Sequence, residues 1–560
     1  MTEFSFPPGL ILIIGAFLLP LLKGQLRAAA VLLLPLLTLA CVWLVPAGTA
    51  IHVGFLDYQL TPVSVTATGR LFATVFSIMA FAGGLFALKQ ASVVELAAAF
   101  AYAGAAIGVT FSGDLISLFI FWEIMALGST LVIWSAGTQS AASASMRYLL
   151  VHLFGGVVLM AGIVAHVFQT GSIAFEPMQL DGLASALILA GFLINAGAPP
   201  FSAWIADAYP EASPSGTVFL SAFTTKTAVF TLLVAFPGTE ILIYIGLYMV
   251  FYGIIYALLE NDMRRILAYS IVNQVGFMVT AIGIGSEMAL NGAAAHAFAH
   301  IIYKGLLLMS AGSVLMQTGK RKCTDLGGLF QSMPVTAINS IVGALAISAM
   351  PFTSGFVTKS LETAAAAQAH LAWVWYLLLA ASAGVFLHAG IKFPWFVFFQ
   401  KDSGMRPQEP AANMRWAMWL FSFLCIAIGV YPDTLYRILP YHTDYQAYTP
   451  EHLVSQFQLL LFAGFAFFTL LPLMKRTLTI SLDTDWFYRR FFPTLLNGFF
   501  QAFWAMDAAL RRLFLTNLDQ MLHFIARHEP DGALSKTRLS SSMVIWVTVL
   551  LAAYLLLSFI

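Results

Sequence analysis

Residues 184–211 read ASALILAGFLINAGAPPFSAWIADAYPE, an apolar run long enough to cross a membrane but interrupted by Gly197-Ala198-Pro199-Pro200-Phe201. A second apolar run, 334–366, is interrupted by Met350-Pro351-Phe352-Thr353-Ser354-Gly355. Proline removes a backbone donor and clashes with the preceding helical turn, and broken backbone is not tolerated in contact with lipid. Both breaks are therefore expected to be buried in protein or to face a wet cavity.

The two breaks have similar sequences and lie five predicted spans apart. Because five is an odd number, the two copies would run in opposite directions through the bilayer. That arrangement is typical of inverted-topology repeats with paired broken helices, which many secondary transporters contain. The alternative interpretation is a pair of ordinary proline kinks.

The composition supports a membrane location for the whole chain. Of its 560 residues, 60% are hydrophobic and only 9% are charged, and the mean hydropathy is +0.86. Soluble domains carry about 25% charged residues, so a soluble enzyme is excluded. The net charge of +1 gives no indication of nucleic-acid binding. The three cysteines lie far apart, so we expect no redox or metal site and no cofactor.

The apolar runs predict about sixteen transmembrane helices of roughly 20 residues each. The predicted spans are 8–23, 28–46, 72–89, 93–111, 114–136, 147–169, 184–211, 217–236, 240–259, 265–286, 291–316, 334–366, 371–399, 414–432, 455–474 and 542–560. With the N-terminus outside, the predicted outer loops hold only Arg70 and Arg437 of the 27 basic residues. Positive charge collects on the cytoplasmic side, so both termini are predicted to lie outside.

Four lysines do not fit this loop pattern, because they fall inside apolar spans: Lys226, Lys304, Lys359 and Lys392. Glu123 is similarly isolated within an apolar span. An ionisable group within a span costs roughly 2.5–3.5 kcal/mol on insertion scales and usually marks an ion or proton path. One static ion pair between Glu123 and Lys226 is the structural alternative.

The run 291–316 carries His296, His300 and Lys304 at intervals of four residues, which places them on one helix face. Histidine titrates near physiological pH, so this row is a plausible proton relay. A metal site there would need further ligands, and we predict none. Lys359 directly follows the second break, and His388 and Lys392 could extend a path toward the cytoplasm. Lys392 could equally extend its amine to the inner surface.

Residues 477–540 are too polar to cross the membrane, but they mix aromatic and apolar residues with paired arginines. This pattern predicts an amphipathic helix that lies along a partner protein or along the inner membrane surface. The alternative is a soluble loop, which the Phe and Leu content disfavours.

Six sequence motifs resemble those of a known family of membrane proteins. They are Asp114…Phe121-Trp122-Glu123, Trp204-Ile205-Ala206-Asp207-Ala208-Tyr209-Pro210-Glu211, Asn261-Asp262-Met263-Arg264-Arg265, His296…His300…Lys304, Asp325-Leu326-Gly327-Gly328-Leu329 and Ser354-Gly355-Phe356…Lys359. In this order, over about residues 90–400, they look like the antiporter-like membrane subunits shared by respiratory complex I and Mrp-type cation/proton antiporters. The motif sequences look most similar to those of the D-type Mrp subunit. The lateral segment before the last span looks more like that of the large terminal complex I subunit.

The resemblance implies two inverted five-helix repeats, 93–236 and 237–400, joined by charged residues and water at mid-membrane. They would be flanked by N-terminal helices (1–92), C-terminal helices (401–476), the lateral segment (477–540) and a last helix (541–560). Glu123, Lys226, His296, His300, Lys304 and Lys359 match the family's proton-path positions. The family usually has a lysine where this chain has Asn195. Either Lys226 is then the partner of Glu123, or Glu123 keeps its proton for longer.

The expected function is therefore that of a proton-translocating subunit of a multisubunit Na⁺/H⁺ antiporter in a bacterial inner membrane. The expected partners are other membrane subunits, the lipid bilayer, protons and a monovalent cation, with no nucleic acid. The alternative is a proton-channel subunit that couples energy in a complex I-like redox enzyme or an inorganic-carbon uptake complex. In both cases this chain is not itself an enzyme. A scaffold that no longer transports is a third interpretation, and the buried lysines argue against it.

Overall fold

Apolar runs fold into helices through most of the chain, because a helix satisfies its own backbone hydrogen bonds in an apolar medium. The computed structural model describes residues 6–472, 482–527 and 539–558. Residues up to Asp485 form one packed unit, and those from Trp486 onward form a second. The predicted fold class, an all-α polytopic membrane protein, is confirmed.

The N-terminal part contains three helices and a hairpin that was not predicted. Its elements are α1 (Pro8–Leu18), α2 (Gly24–Leu44), β1 (Ala50–Phe55), β2 (Tyr58–Ser64) and α3 (Ala67–Ala87). The strands pair antiparallel, with Ala50 opposite Ser64 and Phe55 opposite Tyr58. The hairpin lies where the charge pattern predicts an outer loop.

The first predicted repeat comprises α4 (Val93–Phe111), α5 (Leu115–Trp134), α6 (Gln139–Thr170), α7 (Leu183–Ala196), α8 (Trp204–Ala208), α9 (Pro214–Leu220) and α10 (Thr224–Ala235). The predicted break after α7 is present: Gly197 ends that helix in the left-handed conformation, with φ of 79°. A further break, between α9 and α10, divides the eighth predicted span and was not predicted. Helix α6 begins eight residues before its predicted start, because the Thr138 side chain caps it by accepting a hydrogen bond from Ala141 N.

The second predicted repeat comprises α11 (Ile241–Leu259), α12 (Met263–Ile284), α13 (Glu287–Thr318), α14 (Pro334–Ile347), α15 (Ser354–Gln368) and α16 (Ala372–Val385). The predicted break lies between α14 and α15. After α16 the helix continues in wider π-helical turns at Phe386–Lys392 and Trp395–Phe399. Such turns are rare and often mark functional sites.

Helices at corresponding positions of the two predicted repeats have matching lengths. Helices α4 and α11 both have 19 residues, α6 and α13 both have 32, and α7 and α14 both have 14. Asp114 caps α5 and Asp262 caps α12, and each aspartate also forms an isolated β-bridge. These parallels support the inverted repeat, which stays a prediction.

The C-terminal part begins with α17 (Ala412–Val430), α18 (Asp433–Tyr436) and α19 (Pro450–Thr469). The second unit contains a π-helical turn at Phe487–Phe491, α20 (Phe492–Arg527) and α21 (Leu539–Ser558). Helix α20, 36 residues long, falls within the predicted amphipathic segment. Residues 477–481 and 528–538 of that segment, 473–474 of the fifteenth predicted span and 559–560 of the last one lie outside the described residues.

Within the described residues, 12 helices are long and apolar enough to cross a membrane. The four other predicted spans coincide with shorter apolar helices: Pro8–Leu18, Leu183–Ala196, Pro334–Ile347 and Met543–Ser558. The count of sixteen therefore stays a prediction, as does the orientation of the termini. Helix α13 lies at the centre of the first unit, packed against α9, α10, α12, α14, α15 and α17. This central position allows its polar side chains to face both predicted repeats.

Candidate functional site: a buried row of charged side chains

Lys226 lies in the first turn of α10, beside the break that separates this helix from α9. The residue is fully buried, and its Nζ donates hydrogen bonds to the Ser221 carbonyl oxygen at 2.7 Å and to Thr225 Oγ1 at 3.0 Å. Ser221 is the residue at which α9 ends. Because unpaired carbonyls concentrate partial negative charge at a helix C-terminus, the break can hold the amine without a carboxylate.

Lys359 is held in a similar way at the second predicted break, between α14 and α15. It is 3% exposed, and its Nζ donates a hydrogen bond to the carbonyl oxygen of Ile347, the last residue of α14, at 2.6 Å. The amine also lies 5.1 Å from the centre of the Phe277 ring, a favourable cation–π contact. Two predicted path lysines are therefore held by helix ends that breaks in the chain create.

Between these lysines, His296 is the centre of a fully buried polar cluster. Its Nδ1 lies 3.0 Å from both carboxylate oxygens of Glu362, and its Nε2 lies 2.8 Å from Tyr303 OH and 3.2 Å from Gln274 Oε1. Tyr303 OH also donates to Gln274 Oε1 at 3.0 Å. Glu362 was not selected from the sequence, although an acidic residue inside a predicted span three positions after Lys359 was a usable signal.

His300 and Lys304 continue the row along α13, as their spacing predicts. Lys304 Nζ donates to Ser270 Oγ at 2.8 Å, and the His300 ring centre lies 6.2 Å from that of His296. Neither ring nitrogen of His300 has a hydrogen-bond partner among the described residues. Lys226, Lys304 and Lys359 all lie close enough to act on His300 electrostatically. The structure thus brings five of the six predicted path residues together.

The sixth, Glu123, lies apart from this row. Its Oε1 is buried against Gly156 of α6 and accepts no hydrogen bond from any described residue. No ion pair joins it to Lys226 or to any other basic residue in the described part of the chain. The static Glu123–Lys226 pair is therefore not observed, and Lys226 is not the partner of Glu123 in this structure.

Asn195 instead contacts a histidine that was not selected from the sequence. Asn195 Oδ1 lies 2.8 Å from Nδ1 of His152 on α6, and both residues are buried. The His152 ring packs against Tyr148, with ring centres 4.0 Å apart, and against Trp204, at 4.6 Å. His152 lies inside an apolar span, so the criterion that selected Glu123 also applies to it.

His388 and Lys392 lie in the π-helical turns that follow α16. Lys392 Nζ donates to three carbonyl oxygens at the end of α11, those of Ala257 at 3.0 Å and of Leu258 and Glu260 at 2.6 Å. His388 Nδ1 lies 2.8 Å from the Gly384 carbonyl oxygen. These contacts support a structural role for Lys392, and the path extension stays a prediction.

Ion pairs cluster among the family-motif residues that are predicted to lie near the inner surface. Arg147 forms a two-point contact with Asp207, at 2.7 and 2.8 Å. Arg321 contacts Asp262 and donates to Glu211 at 2.8 Å. Partial burial opposes the charge on Arg321, but the two carboxylates outweigh it and raise its pKa. The Arg147–Asp207 pair lies within the first predicted repeat, whereas Arg321 joins Glu211 of the first repeat to Asp262 of the second. These pairs are best explained as structural.

A cleft of about 570 Å³ has Lys359 in its lining. Its lining includes Ser360 and Thr363 of α15 and Glu451, His452 and Gln456 of α19. Polar groups therefore extend from Lys359 toward the end of α19 that the topology predicts to lie outside.

The fold and the site together define a polytopic membrane protein with a row of ionisable side chains buried among its helices. Residues 112–386, just under half of the chain, match the family model described as NADH:quinone oxidoreductase/Mrp antiporter, TM. The resemblance drawn from the motifs is confirmed.

Two curated relatives and one solved structure illustrate the similarity. The chain is 30% identical over 358 residues to the A/B subunit of a probable K(+)/H(+) antiporter of Rhizobium meliloti (strain 1021), covering 59% of this chain and 36% of the relative. It is 30% identical over 297 residues to NADH-quinone oxidoreductase subunit N of Desulforudis audaxviator (strain MP104C), and this match covers 49% of this chain and 59% of the relative. The chain thus spans about a third to three fifths of these relatives.

A solved structure of the Mrp complex from Dietzia sp. DQ12-45-1b has the same fold. The TM-score is 0.66 at 20% identity, and the match covers 77% of this chain and 91% of the other.

Proposed function

We propose that the chain is the proton-translocating subunit of a multisubunit monovalent cation/proton antiporter. The observation that carries the proposal is the row Lys226, His300, Lys304, His296–Glu362 and Lys359. It contains bases and an acid in contact or in electrostatic reach, enclosed by helices whose buried side chains are mostly apolar. Burying so many ionisable groups is costly, which favours a function in proton transfer over a purely structural role.

Proton transfer along this row would be stepwise. When one group takes up a proton, its charge raises the energy of a second charge at its neighbour, so the titrations are coupled. His296 can exchange a proton with Glu362 directly, since their atoms lie 3.0 Å apart. The cleft beside Lys359 would supply access from the predicted outer surface, and Lys226 would receive protons from the first predicted repeat.

The coupled ion is proposed to be Na⁺, as in the Mrp-type antiporters that the motifs resemble. The Rhizobium relative is named for K⁺, so K⁺ is the first ion to compare. The partners would be other membrane subunits in a bacterial inner membrane.

A second candidate function is energy coupling in a redox complex. The similarity to a NADH-quinone oxidoreductase subunit favours it, and the redox chemistry would then lie in partner subunits. Purification of the complex in mild detergent separates the two. Small membrane subunits alone support the antiporter, whereas iron–sulfur or flavin proteins support the coupling subunit.

The proposed function is tested by measuring pH changes in inverted vesicles that contain the native complex. Na⁺, K⁺ and Li⁺ are added in turn to vesicles that hold a pH gradient, and a pH-sensitive dye reports its collapse. Collapse that depends on one ion and on this subunit supports the proposal. No ion-dependent collapse with any of the three, in a complex shown to be assembled, contradicts it.

A further inference from the structure

We propose that His152, positioned by Asn195, carries protons between Glu123 and the Lys226 end of the buried row. This inference deepens the proposed function and rests on it. It gives the first predicted repeat a proton carrier that neither the motifs nor the comparisons assign.

The hydrogen bond to Asn195 defines the form of the His152 ring. The contacting atom of Asn195 is its amide oxygen, which only accepts hydrogen bonds, so the ring nitrogen 2.8 Å away must be the donor. A neutral imidazole has one N–H, so Nε2 then carries a lone pair that can accept a proton. Nε2 is buried and has no partner among the described residues. Asn195 therefore holds His152 in the form that can accept a proton.

A histidine that only fills the core would be expected to have both nitrogens satisfied, because an unpaired buried polar atom costs about 1–3 kcal/mol. His152 does not meet this expectation. Glu123 Oε1 is likewise buried and unpartnered in the described part of the chain. Two buried polar atoms without a described partner, one on α6 and one against Gly156 of the same helix, thus point to a proton that moves between groups.

Glu123 reaches α6 at Gly156, which has no side chain and so admits the carboxylate. Gly156 lies four residues after His152, so it is one helical turn away on the same face, about 6 Å along the axis. The carboxyl group of Glu123 therefore meets α6 one turn from His152, whose ring contacts Asn195 of α7 and Trp204 of α8.

A chain of hydroxyl groups leads from His152 toward Lys226. The ring of Tyr148 packs against His152, and its OH lies 3.2 Å from Thr224 Oγ1 and donates to Ser129 Oγ at 3.0 Å. Thr224 Oγ1 lies 2.6 Å from Tyr102 OH. Thr224 is the first residue of α10, two positions before Lys226. Hydroxyls both donate and accept, so this network, which begins at the Tyr148 ring beside His152 and ends two residues before Lys226, is the route that the proposal assigns to the proton.

The test combines a transport measurement with a spectroscopic one on the purified complex. His152→Gln is compared with His166→Gln, a matched change on the same helix outside the cluster. Removing a proton carrier costs about 100-fold or more, so we expect His152→Gln to slow ion-driven proton flux by at least that factor and His166→Gln to leave it unchanged. Co-purification of partner subunits checks assembly.

Nitrogen NMR of ¹⁵N-histidine-labelled complex reports the ring form independently of transport. The signal lost in His152→Gln should have its proton on Nδ1, and Asn195→Ala should shift it toward the Nε2–H form. Asn195→Ala should also slow flux by about tenfold. If His152→Gln does not assemble, Asn195→Ala alone decides: no change in either the ring form or the flux overturns the inference.

Failure of the inference is distinguishable from failure of the proposed function. Normal flux in assembled His152→Gln, with flux abolished in Lys359→Ala, overturns the role of His152 and leaves the proposed function standing. Normal flux in both variants removes the proposed function as well.

Discussion

The amine of Lys359 lies 2.6 Å from the carbonyl oxygen of Ile347, the residue at which α14 ends. Lys226 makes the same contact with Ser221 at the end of α9, at 2.7 Å. A lysine amine can donate a hydrogen bond whether it is charged or neutral. Both lysines can therefore keep their hydrogen bonds to the helix ends while they gain and lose protons. Proton transfer then does not require the two breaks to change structure.

Replacing Glu362 by Gln should slow ion-driven proton flux while the complex still assembles. The change keeps the shape of the side chain but removes the carboxyl group that can exchange a proton with His296 Nδ1. Removing a group that transfers a proton typically costs about 100-fold or more, so we expect flux to fall by about that factor. Glu287→Gln, an exposed site at the start of α13, is the control in the same vesicle assay. Equal flux in the two variants would remove Glu362 from the path.

Replacing Lys392 by Met should lower stability more than transport. The change leaves three carbonyl groups at the end of α11 without their donor. The expected loss is about 2–3 kcal/mol, seen as a lower apparent melting temperature of the purified complex. Flux per assembled complex should stay near the native value. A stable variant with abolished flux would instead make Lys392 part of the path.

Replacing Gly156 by Ala should disturb Glu123 selectively. A Cβ at this position would overlap the Glu123 carboxylate, and it would lie 3.2 Å from Cδ. Forced repacking costs about 1–3 kcal/mol, so we expect roughly tenfold slower flux. Gly155→Ala is the neighbouring control for repacking, because its Cβ would meet Ile194 Cγ2 at 3.1 Å and Asn195 Oδ1 at 3.6 Å, and no atom of Glu123 is among its three nearest. Equal flux in both variants would show that the position of Glu123 is not critical.

Replacing Gly328 by Ala should weaken the contact between the Gly327-Gly328 turn and the loop around Asp402. Gly328 has φ of 74°, and a Cβ there would lie 3.1 Å from Asp402 Cα and closer still to its carboxylate. Gly404→Ala is the matched control, with φ of 76° and nothing within 4 Å. Both variants pay about 1–2 kcal/mol for the left-handed backbone, and only Gly328→Ala loses about 1–3 kcal/mol more through the clash. Thermal unfolding of the complex measures the difference, and equal losses would contradict the assignment.

The helices and the two proline-containing breaks could be predicted because apolar length and proline act locally. The break between α9 and α10 could not, since Ser221-Ala222-Phe223 contains no glycine or proline. That break is supported by the local contact between the Lys226 amine and the Ser221 carbonyl oxygen and by the hydrogen bond that Thr224 N donates to Tyr102 OH of α4.

The row on α13 was predictable from its spacing, because helical periodicity places His296, His300 and Lys304 on one face. Which groups they contact depends on how other helices pack. The partners Glu362 and Gln274 therefore emerged only with the fold. His152 is different, since its position in an apolar span was visible and only its contact with Asn195 was not.

The most direct test of the proton path is ion-driven flux in vesicles that contain Glu123→Ala, Lys226→Ala or Lys359→Ala. Partner co-purification must first show that each complex assembles. The path requires every one of these groups, so flux should be abolished in all three variants, and the native complex should collapse the imposed pH gradient. Native flux in all three assembled variants would contradict the account.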